Sequence, residues 1–220
     1  MFTKSITFLG SKEQNERWIP LADDLHIIGC YVQTELGHGS NVAGLETTAT
    51  FDKETDEFVI HTPHIRATKF WPGTLGKVCT HAVVFARMKI GDNDYGPQPF
   101  FCPIRSRVDH MPYPGLKVGD IGTKMGYNSV DNGYISFDHY RVPRSSLLSR
   151  FVRVSREGDF ELLGDPRAIY QIMVISRLMI IFGASYALFR SSTMATRYAV
   201  CRRQFSNQKG TKEERKLIDY

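Results

Sequence analysis

The sequence predicts an α+β fold in which a central all-β barrel or sandwich is followed by a long helix. From Asp24 to about Pro143, β-rich runs alternate with turns dense in glycine and proline. Beyond Pro143 the apolar spacing becomes helical, and a helix is expected from Asp165 and Pro166 to roughly Phe205. Strands first and a long helix afterwards are typical of an α+β chain.

A short helix is predicted near the N-terminal end, within residues 1–22. Ser11 suits an N-cap, and Gln14 completes a capping box ahead of Trp18. Pro20 is expected to end this helix.

The β-rich part, residues 23–145, is predicted to hold about six to eight strands. The apolar run Leu25 to Tyr31 is the first, so the polar residues after it are expected at the open end of a strand. Glu46 to Phe51 and Glu57 to Thr62 alternate on either side of the turn DKETD and predict a hairpin. Further β-rich runs are Thr80 to Met88, Gln98 to Ile104 and Tyr134 to Tyr140.

The last part, residues 146–220, is predicted to be mainly helical. A short helical turn is expected over Arg144 to Arg150, followed by a loop or hairpin around Gly158. A helix that is apolar on more than one face needs partner helices to cover it. The apolar residues that recur at spacings of largely three and four are Ile169, Ile172, Met173, Ile180, Ala184, Ala187, Leu188, Met194 and Tyr198.

The formal net charge of +5 is a mild basic bias, which fits a polyphosphate ligand as well as a nucleic acid. Glu213 and Glu214 interrupt the basic C-terminal stretch, and no recognition motif is present, so nucleic-acid binding is not expected. The most apolar stretch, Leu178 to Phe189, is too short to span a bilayer and is flanked by Arg177 and Arg190. No membrane span is therefore expected.

Neither the cysteines nor the histidines predict a metal site. His61 and His64 should point to opposite faces of an extended chain, and Pro63 opposes a helical turn that would bring them together. Without a converging third ligand, no metal is expected. The cysteines form no CxxC pair and are predicted to be reduced thiols of an intracellular protein, without disulfides or zinc. They are Cys30, Cys79, Cys102 and Cys201.

The stretch YVQTELGHGSNVAG, from Tyr31 to Gly44, is the strongest candidate for a ligand site. Its three glycines are expected to allow positive φ and a close approach to a flat or anionic ligand, and Ser40 and Asn41 supply short-range donors. It lacks both the Lys-Ser/Thr ending of a triphosphate loop and the full GxGxxG pattern. On glycine content alone, an ordinary surface turn is the alternative. The three glycines are Gly37, Gly39 and Gly44.

Four collinear motifs resemble the acyl-CoA oxidases, the FAD enzymes that open peroxisomal fatty-acid β-oxidation. YVQTELGHGSN followed by GLETTATFD is similar to their flavin-binding signature, and His38 and Asn41 look like the oxidase branch rather than the related dehydrogenases. The resemblance covers nearly the whole chain. The other three motifs are KFWPGTLGK from Lys69, VGDIGTKMGYNSVDNGYISFDHYRVPR from Val118 and ATRYAVCRRQF from Ala195.

The resemblance implies an FAD site and an oxidation of acyl-CoA by dioxygen to trans-2-enoyl-CoA and hydrogen peroxide. Thr34 is expected to supply donors to the N1/O2 edge of the flavin, Trp71 to stack beside it, and Gly73 to leave room for oxygen near N5. The alternatives are a strand-end threonine and a buried tryptophan beside a turn glycine. The full set of expected cofactor-binding residues is Gln33, Thr34, Glu35, Gly39, Ser40, Trp71, Gly73, Arg202 and Phe205.

Arg202 and Phe205 match a family segment that reaches across a dimer to the FAD pyrophosphate of the partner. Arg177, about seven helical turns earlier, should share the face of Arg202 and matches an arginine near the active-site cavity. For a bare basic pair, a solvated helix end is the alternative. His38 is open to two interpretations, a contact to cofactor or substrate phosphate and a structural role in the loop.

By resemblance, residues 1–22 are the remnant of an N-terminal helical domain and residues 146–220 begin a four-helix bundle, so the chain is expected to be shortened at both ends. The family's catalytic glutamate lies late in that bundle, so no catalytic residue is predicted here and the chain alone is expected to be inactive. The expected partners are the substrate acyl-CoA and either a second copy of the chain, in a homodimer, or a full-length oxidase. A non-catalytic chain that modulates a complete oxidase is the alternative function. The expected location is the peroxisome, although the final LIDY is not a peroxisomal signal.

Overall fold

The computed structural model describes residues 1–165, 167, 170–206 and 212–220, with the side chains of 171 and 172 excepted. It divides into two compact units, Met1–Ile172 and Met173–Tyr220. Each unit is described separately. Pro166 and Ile169, which belong to the predicted helix start and its apolar pattern, lie outside the described residues.

Two helices open the first unit, α1 at Phe2–Leu9 and α2 at Lys12–Asp23. The predicted capping box is confirmed, because the backbone N of Gln14 donates to Ser11 Oγ at 3.2 Å and the backbone N of Ser11 donates to the side-chain Oε1 of Gln14 at 2.9 Å. The expectation that Pro20 ends the helix is wrong, since α2 continues through it to Asp23. A proline removes one N–H donor but keeps a helical φ, so one more turn forms beyond it.

Eleven strands follow in the described residues, and the predicted β-rich part holds the first nine. Their bounds are β1 Gly29–Val32, β2 Thr48–Asp52, β3 Glu57–His61, β4 Lys69–Phe70, β5 His81–Ile90, β6 Asn93–Pro103, β7 Leu116–Asp120, β8 Gly133–Phe137, β9 Tyr140–Pro143, β10 Val152–Val154 and β11 Phe160–Leu162. Six of them form one sheet in which β5 is central. It pairs in parallel with β1 and then β2 on one edge and antiparallel with β6 on the other.

A second sheet of three strands, in the order β4-β8-β7, packs with the first around one core. Thr62, after the end of β3, joins the two sheets: its N–H donates to Phe137 O at 2.8 Å, and its hydroxyl accepts from Phe137 N at 3.0 Å. The core is built from side chains of both sheets, including Phe58, Phe100 and Ile135. The predicted α+β class with a closed β-rich half is therefore confirmed.

The expected six to eight strands are too few. The short strands β4 and β7 were not anticipated, and the single run Tyr134 to Tyr140 is two strands, β8 and β9, separated at His139, whose φ is 50°. The sequence of β7, LKVGD, has little β-preference of its own, and its pairing along the whole of β8 makes it a strand. The hairpins β2-β3 and β10-β11 are confirmed.

The second unit consists mainly of α3, at Gln171–Cys201, of which residues from Met173 onward belong to this unit. The helix ends earlier than the expected Phe205. Gln204 N donates to Arg215 O at 2.9 Å and Arg215 N donates to Phe205 O at 3.0 Å, so residues 204 and 205 pair with Arg215 instead of continuing the helix. Many apolar side chains of α3 are exposed, among them Ile180, Phe182 and Leu188.

Candidate functional site

The open end of β1 lies beside the segment that leads into the KFWPG motif. Thr34 O accepts a hydrogen bond from Phe70 N at 2.9 Å, and Leu36 N donates to Thr68 O at 3.0 Å. Glu35 forms an antiparallel bridge with Lys69. Two of the predicted motifs, distant in sequence, are therefore held side by side at one edge of the molecule. Thr34 is half-buried there.

A fully buried ion pair fixes this edge. Lys69 Nζ lies 2.9 Å from Glu35 Oε1 and donates to Gln33 O at 3.0 Å. The Glu35 carboxylate also accepts from Glu46 N at 2.8 Å and from Thr47 N at 2.9 Å. With both oxygens bonded inside the protein, Glu35 holds the glycine-rich loop to the sheet. Its predicted contact with a cofactor stays a prediction.

Burial and charge act in opposite directions on this pair. Burial lowers the pKa of Lys69 to about 8, although the carboxylate of Glu35 opposes that shift. Burial acts to raise the pKa of the Glu35 carboxyl, but the Lys69 charge and the donors of residues 46 and 47 outweigh it, so the pKa is lowered. The pair is thus charged at neutral pH without contact with water.

The glycines of the loop allow close packing rather than a left-handed backbone. The expectation of positive φ is wrong, because none of the three glycines adopts it. A Cβ on Gly37 would lie 3.2 Å from Arg66 Cβ, and one on Gly44 would lie 2.5 Å from Asn41 Nδ2. Gly39 faces open space instead, with Ser40 exposed beside it. Gly39 thus leaves space at the surface of the loop, and its predicted contact with a ligand stays a prediction.

Trp71 lies at the mouth of a cavity of about 450 Å³. Its indole is 53% exposed and its φ is 84°, which is a strained backbone conformation for a bulky residue. Trp71 N donates to Gly133 O at 3.0 Å, and Asn132 Nδ2 donates to Trp71 O at 2.6 Å, so two hydrogen bonds hold that conformation. The other residues that line the cavity are Lys124, Met125, Gly126, Tyr127, Val130 and Asn132.

Gly73 lies against one of the cavity residues. A Cβ added to it would lie 3.3 Å from Val130 Cγ1 and 4.0 Å from Asn132 Nδ2. Next to it, Thr74 Oγ1 lies 3.5 Å from Gly29 O, at the start of β1. Thr34 and Gly73 are therefore on adjacent segments and not at opposite ends of the molecule.

An unpaired donor lies at the same edge. The Nε2 atom of Gln33 is buried and has no hydrogen-bond partner among the described residues. The hydroxyl of Tyr31 is in the same situation, and burial raises its pKa. Buried donors are rarely left unpaired in proteins, so this amide at a strand end is available to an acceptor that the described residues do not supply.

Comparison with known families decides the identity of this architecture. The family model of the acyl-CoA dehydrogenase middle domain matches residues 30–140, and that of the acyl-CoA oxidase C-alpha1 domain matches residues 170–220. The chain belongs to the acyl-CoA oxidase family. The predicted resemblance is thereby confirmed, and the first model covers the strands that carry the Thr34 and Trp71 motifs.

Relatives in this family are similar along the whole chain. Peroxisomal acyl-coenzyme A oxidase 1 of Arabidopsis thaliana is 53% identical over 100% of the chain and 34% of its own length. The structure of Arabidopsis thaliana acyl-CoA oxidase 1 superposes with a TM-score of 0.95 at 52% identity, with the same coverage. Acyl-CoA oxidase-2 of Caenorhabditis elegans, bound with FAD, ascaroside-CoA and ATP, gives a TM-score of 0.93 at 42% identity, over 99% of this chain and 33% of its own. The chain thus spans about a third of the length of these acyl-CoA oxidases.

The second unit of this acyl-CoA oxidase family member carries Arg202 and Phe205. Arg202 N donates to Tyr198 O at 2.7 Å, so Arg202 continues the last turn of α3, and Leu217 N donates to Arg202 O at 2.8 Å. Phe205 is exposed. Arg203, by contrast, is paired with Glu213 at 3.2 Å. The predicted contact of Arg202 and Phe205 with a partner's cofactor stays a prediction.

The helix Met173–Cys201 is long and apolar enough, by length and composition, to cross a membrane, with a mean hydropathy of 1.4 in its most apolar window. Length and composition alone are a weak indication. The C-alpha1 match assigns this helix to a domain of the acyl-CoA oxidases, and a membrane span is not indicated.

Among the described residues, two groups of side chains have metal-ligand geometry, and neither contains both His61 and His64. The first is Glu35, His38 and Glu46, and the second is His61, Asp138 and His139; in each, the candidate ligand atoms lie within 4.8 Å of one another. In the second group, the rings of His61 and His139 stack at 4.1 Å. The expectation of no metal stays a prediction. His38 Nε2 lies 3.0 Å from Glu46 Oε2, which agrees with a structural role in the loop.

Two features of this site and one separate cavity were not predicted from the sequence. Lys69 was not recognised as the partner of Glu35, because a lysine is rarely buried and nothing in the pattern marks it. The cavity residues from Lys124 to Asn132 lie inside the quoted third motif but were given no role. A smaller cavity of about 220 Å³ is lined by Leu9, Tyr95 and Phe160 among others, and it contains none of the predicted site residues.

Proposed function

We propose that this chain forms the flavin-holding part of an FAD-dependent acyl-CoA oxidase of fatty-acid β-oxidation. The observation that carries the proposal is the unpaired Nε2 of Gln33 at the edge where Thr34 and the Trp71 segment meet. The family and the FAD-bound relative support the choice of cofactor. Because the chain spans about a third of its relatives, the activity of the whole protein is part of the proposal.

The residues of this edge fit a flavin ring. Its polar N1/O2 edge needs donors where negative charge accumulates, and Gln33 Nε2 and Thr34 supply them. Its flat face needs an aromatic or apolar wall, which the exposed Trp71 supplies. The lack of a side chain at Gly73 keeps the adjacent space open. When bound, FAD would supply the two-electron acceptor for the oxidation of an acyl-CoA.

The chain's own residues position and shield the flavin and do not transfer protons. The Glu35–Lys69 pair holds the edge rigid, so the donors of Gln33 and Thr34 need little reorganisation. Glu35 is not proposed as the base, because both of its oxygens are already hydrogen-bonded and its side chain is fully buried. We assign no catalytic base in this chain and expect negligible turnover of acyl-CoA by it alone.

The visible spectrum of the purified chain after incubation with FAD tests the proposal. Bound flavin with perturbed absorbance is expected, and Gln33→Leu should weaken FAD binding about tenfold, because one charge-stabilising hydrogen bond is lost. Thr34→Val should act in the same direction, while Thr50→Val, on an exposed position of β2, serves as the matched control. A folded chain that shows no flavin absorbance after incubation with saturating FAD and removal of unbound FAD would contradict the site.

A second function is supported by the exposed apolar residues of α3, which include Phe182, Leu188 and Phe189. We propose that α3 packs against helices of another acyl-CoA oxidase subunit, either a second copy or a complete oxidase that this chain modulates. Co-expression with a complete oxidase tests this. Recovery of the chain only as a monomer, with no change in the oxidase's rate, would contradict it.

The expected compartment is the peroxisome, since relatives in Arabidopsis thaliana and Dictyostelium discoideum are named peroxisomal. We propose the same location for this protein. Fluorescence microscopy of the tagged full-length protein beside a peroxisomal marker checks it, and a diffuse signal would argue against it.

A further inference from the structure

Two cysteines that are distant in sequence have their sulfur atoms in contact inside the first unit. The Sγ atoms of Cys30 and Cys79 lie 3.6 Å apart, and both side chains are buried. Cys30 belongs to β1, and Cys79 lies in the turn before β5, the strand with which β1 pairs. The parallel pairing of β1 with β5 therefore brings together two thiols that are 49 positions apart in the sequence.

A buried arginine faces one thiol of the pair. Arg105 Nη1 lies 3.5 Å from Cys79 Sγ and donates to Cys79 O at 3.0 Å, while Nη2 donates to Gly76 O at 2.9 Å. Arg105 is only 5% exposed, and no carboxylate of the described residues lies within ion-pair distance of it. A buried guanidinium without a counter-ion favours a negative charge beside it, and the thiolate of Cys79 is the group in contact.

The two thiols are consequently unequal. The hydrogen bond from Cys30, together with the charge of Arg105, lowers the pKa of Cys79 despite its burial. The same hydrogen bond and burial raise the pKa of Cys30. Such a pair has one sulfur that is suited to attack an oxidant and one protonated sulfur that is suited to resolve the product.

We propose that Cys30 and Cys79 are a peroxide-sensitive dithiol that closes to a disulfide. The Cys79 thiolate attacks one oxygen of hydrogen peroxide, the O–O bond breaks, and the departing hydroxide takes up a proton to become water. Cys79 is then a sulfenic acid. The sulfur of Cys30 attacks it, the S–O bond breaks, and the leaving hydroxide takes the Cys30 proton. Two thiols and one peroxide thus give one disulfide and two waters.

The geometry needs only a small movement to complete this reaction. A disulfide has an S–S distance of about 2.05 Å, so the sulfurs must approach by about 1.5 Å for the bond to form. Both thiols are buried while Val78, adjacent to Cys79, is exposed, so the proposal requires peroxide to reach Cys79 through this segment. The bond would tie the strand that leads to Thr34 to the turn that follows Gly73. That an oxidase supplies the peroxide rests on the proposed function, but the chemistry of the pair does not.

Peptide mapping of the peroxide-treated chain tests the proposal. The variant Cys201→Ser is used so that the exposed fourth cysteine cannot form bonds between molecules. After treatment, denaturation with an alkylating agent and digestion, we expect a linked peptide pair containing Cys30 and Cys79, lighter by two hydrogen atoms and split by a reductant. Cys102, buried without a thiol partner among the described residues, is the internal control and should be alkylated in full. Full alkylation of Cys30 and Cys79 after prolonged peroxide treatment would overturn the proposal.

Three variants test the assigned roles. In Cys30→Ser, Cys79 should stop at the sulfenic acid and react with a dione trap, whereas in Cys79→Ser no trap product should form at Cys30. Arg105→Gln should slow the loss of the Cys79 thiol about tenfold, because the thiolate loses the guanidinium charge beside it. An unchanged rate in a folded Arg105→Gln chain would refute the role of Arg105. If that variant fails to fold, linked-peptide formation in the Cys201→Ser chain is followed from about pH 4 to about pH 9, and a rate that rises with pH nowhere in that range would refute the role of the thiolate. Added peroxide acts without FAD, so failure here is distinguishable from failure of flavin binding.

Discussion

Replacement of Lys69 by methionine should destabilise the first unit more than any exposed charge change. Lys69 is fully buried, and its ammonium donates to Glu35 Oε1 and Gln33 O. Methionine fills a similar volume but leaves the carboxylate of Glu35 buried without a counter-charge. Removal of one partner of a buried ion pair costs about 3–5 kcal/mol, so the free energy of unfolding should fall by about that much.

The assay is urea unfolding followed by tryptophan fluorescence, since Trp18 and Trp71 both belong to the first unit. The matched control is Lys12→Met, which removes a pair with Glu16 at 3.8 Å whose side chains are 84% and 66% exposed. That change should cost less than about 0.5 kcal/mol.

A double variant separates the electrostatic contribution of the Glu35–Lys69 pair from the contribution of side-chain packing. Lys69→Met combined with Glu35→Gln should cost less than the sum of the two single changes, because neither leaves an isolated charge once both are neutral. The reasoning is refuted if the free energy of unfolding of Lys69→Met lies within about 1 kcal/mol of that of the wild type. It is also refuted if the cost of the double variant equals the sum of the costs of the two single variants.

Three further predictions concern stability. Burial lowers the pKa of Lys69 to about 8, below its value of about 10.4 in an unfolded chain, so the unfolded state binds more protons between these values. Stability should therefore rise with pH across that window, by up to about 1.4 kcal/mol per pH unit, and the rise should vanish in Lys69→Met when unfolding is measured from pH 7 to pH 10. Gly133→Ala should cost about 1–3 kcal/mol, because its Cβ would lie 2.5 Å from Gly76 N, whereas Gly39→Ala meets open space and should change the urea midpoint little. Gln14→Ala should cost about 1–3 kcal/mol in the same assay, since its amide caps α2 and also donates to two carbonyls after β9; a loss no larger than that of Lys12→Met would contradict it.

Local signals in the sequence were sufficient for the elements that depend on neighbours in the chain. The Ser11–Gln14 capping box, the hairpin around DKETD and the strand end before Gln33 all follow from spacing within a few residues. The residues of the candidate site could be named because four motifs resemble a family in order and spacing. These predictions name the residues of the elements and of the candidate site, and the structure adds which of them are in contact.

What the sequence could not predict depends on partners far along the chain. The strand β7 exists because β8 pairs with it, and the burial of Lys69 depends on Glu35, which lies in another motif. The contact of Cys30 with Cys79 requires the parallel register of β1 and β5. Pro20 was expected to end a helix because of its missing N–H donor, but its helical φ lets α2 continue to Asp23.

The central position of β5 sets the order in which the strands can pair during synthesis on the ribosome. β1 finds its partner only when His81 has emerged, and the outer edge of β3 stays unpaired until Tyr140 follows. Because translation proceeds at about 5–20 residues per second, these strands spend seconds with open edges, during which a nascent chain exposes them to aggregation or to chaperones. A nascent chain arrested before His81 should therefore be degraded by protease, whereas one in which Pro143 has left the exit tunnel should resist it.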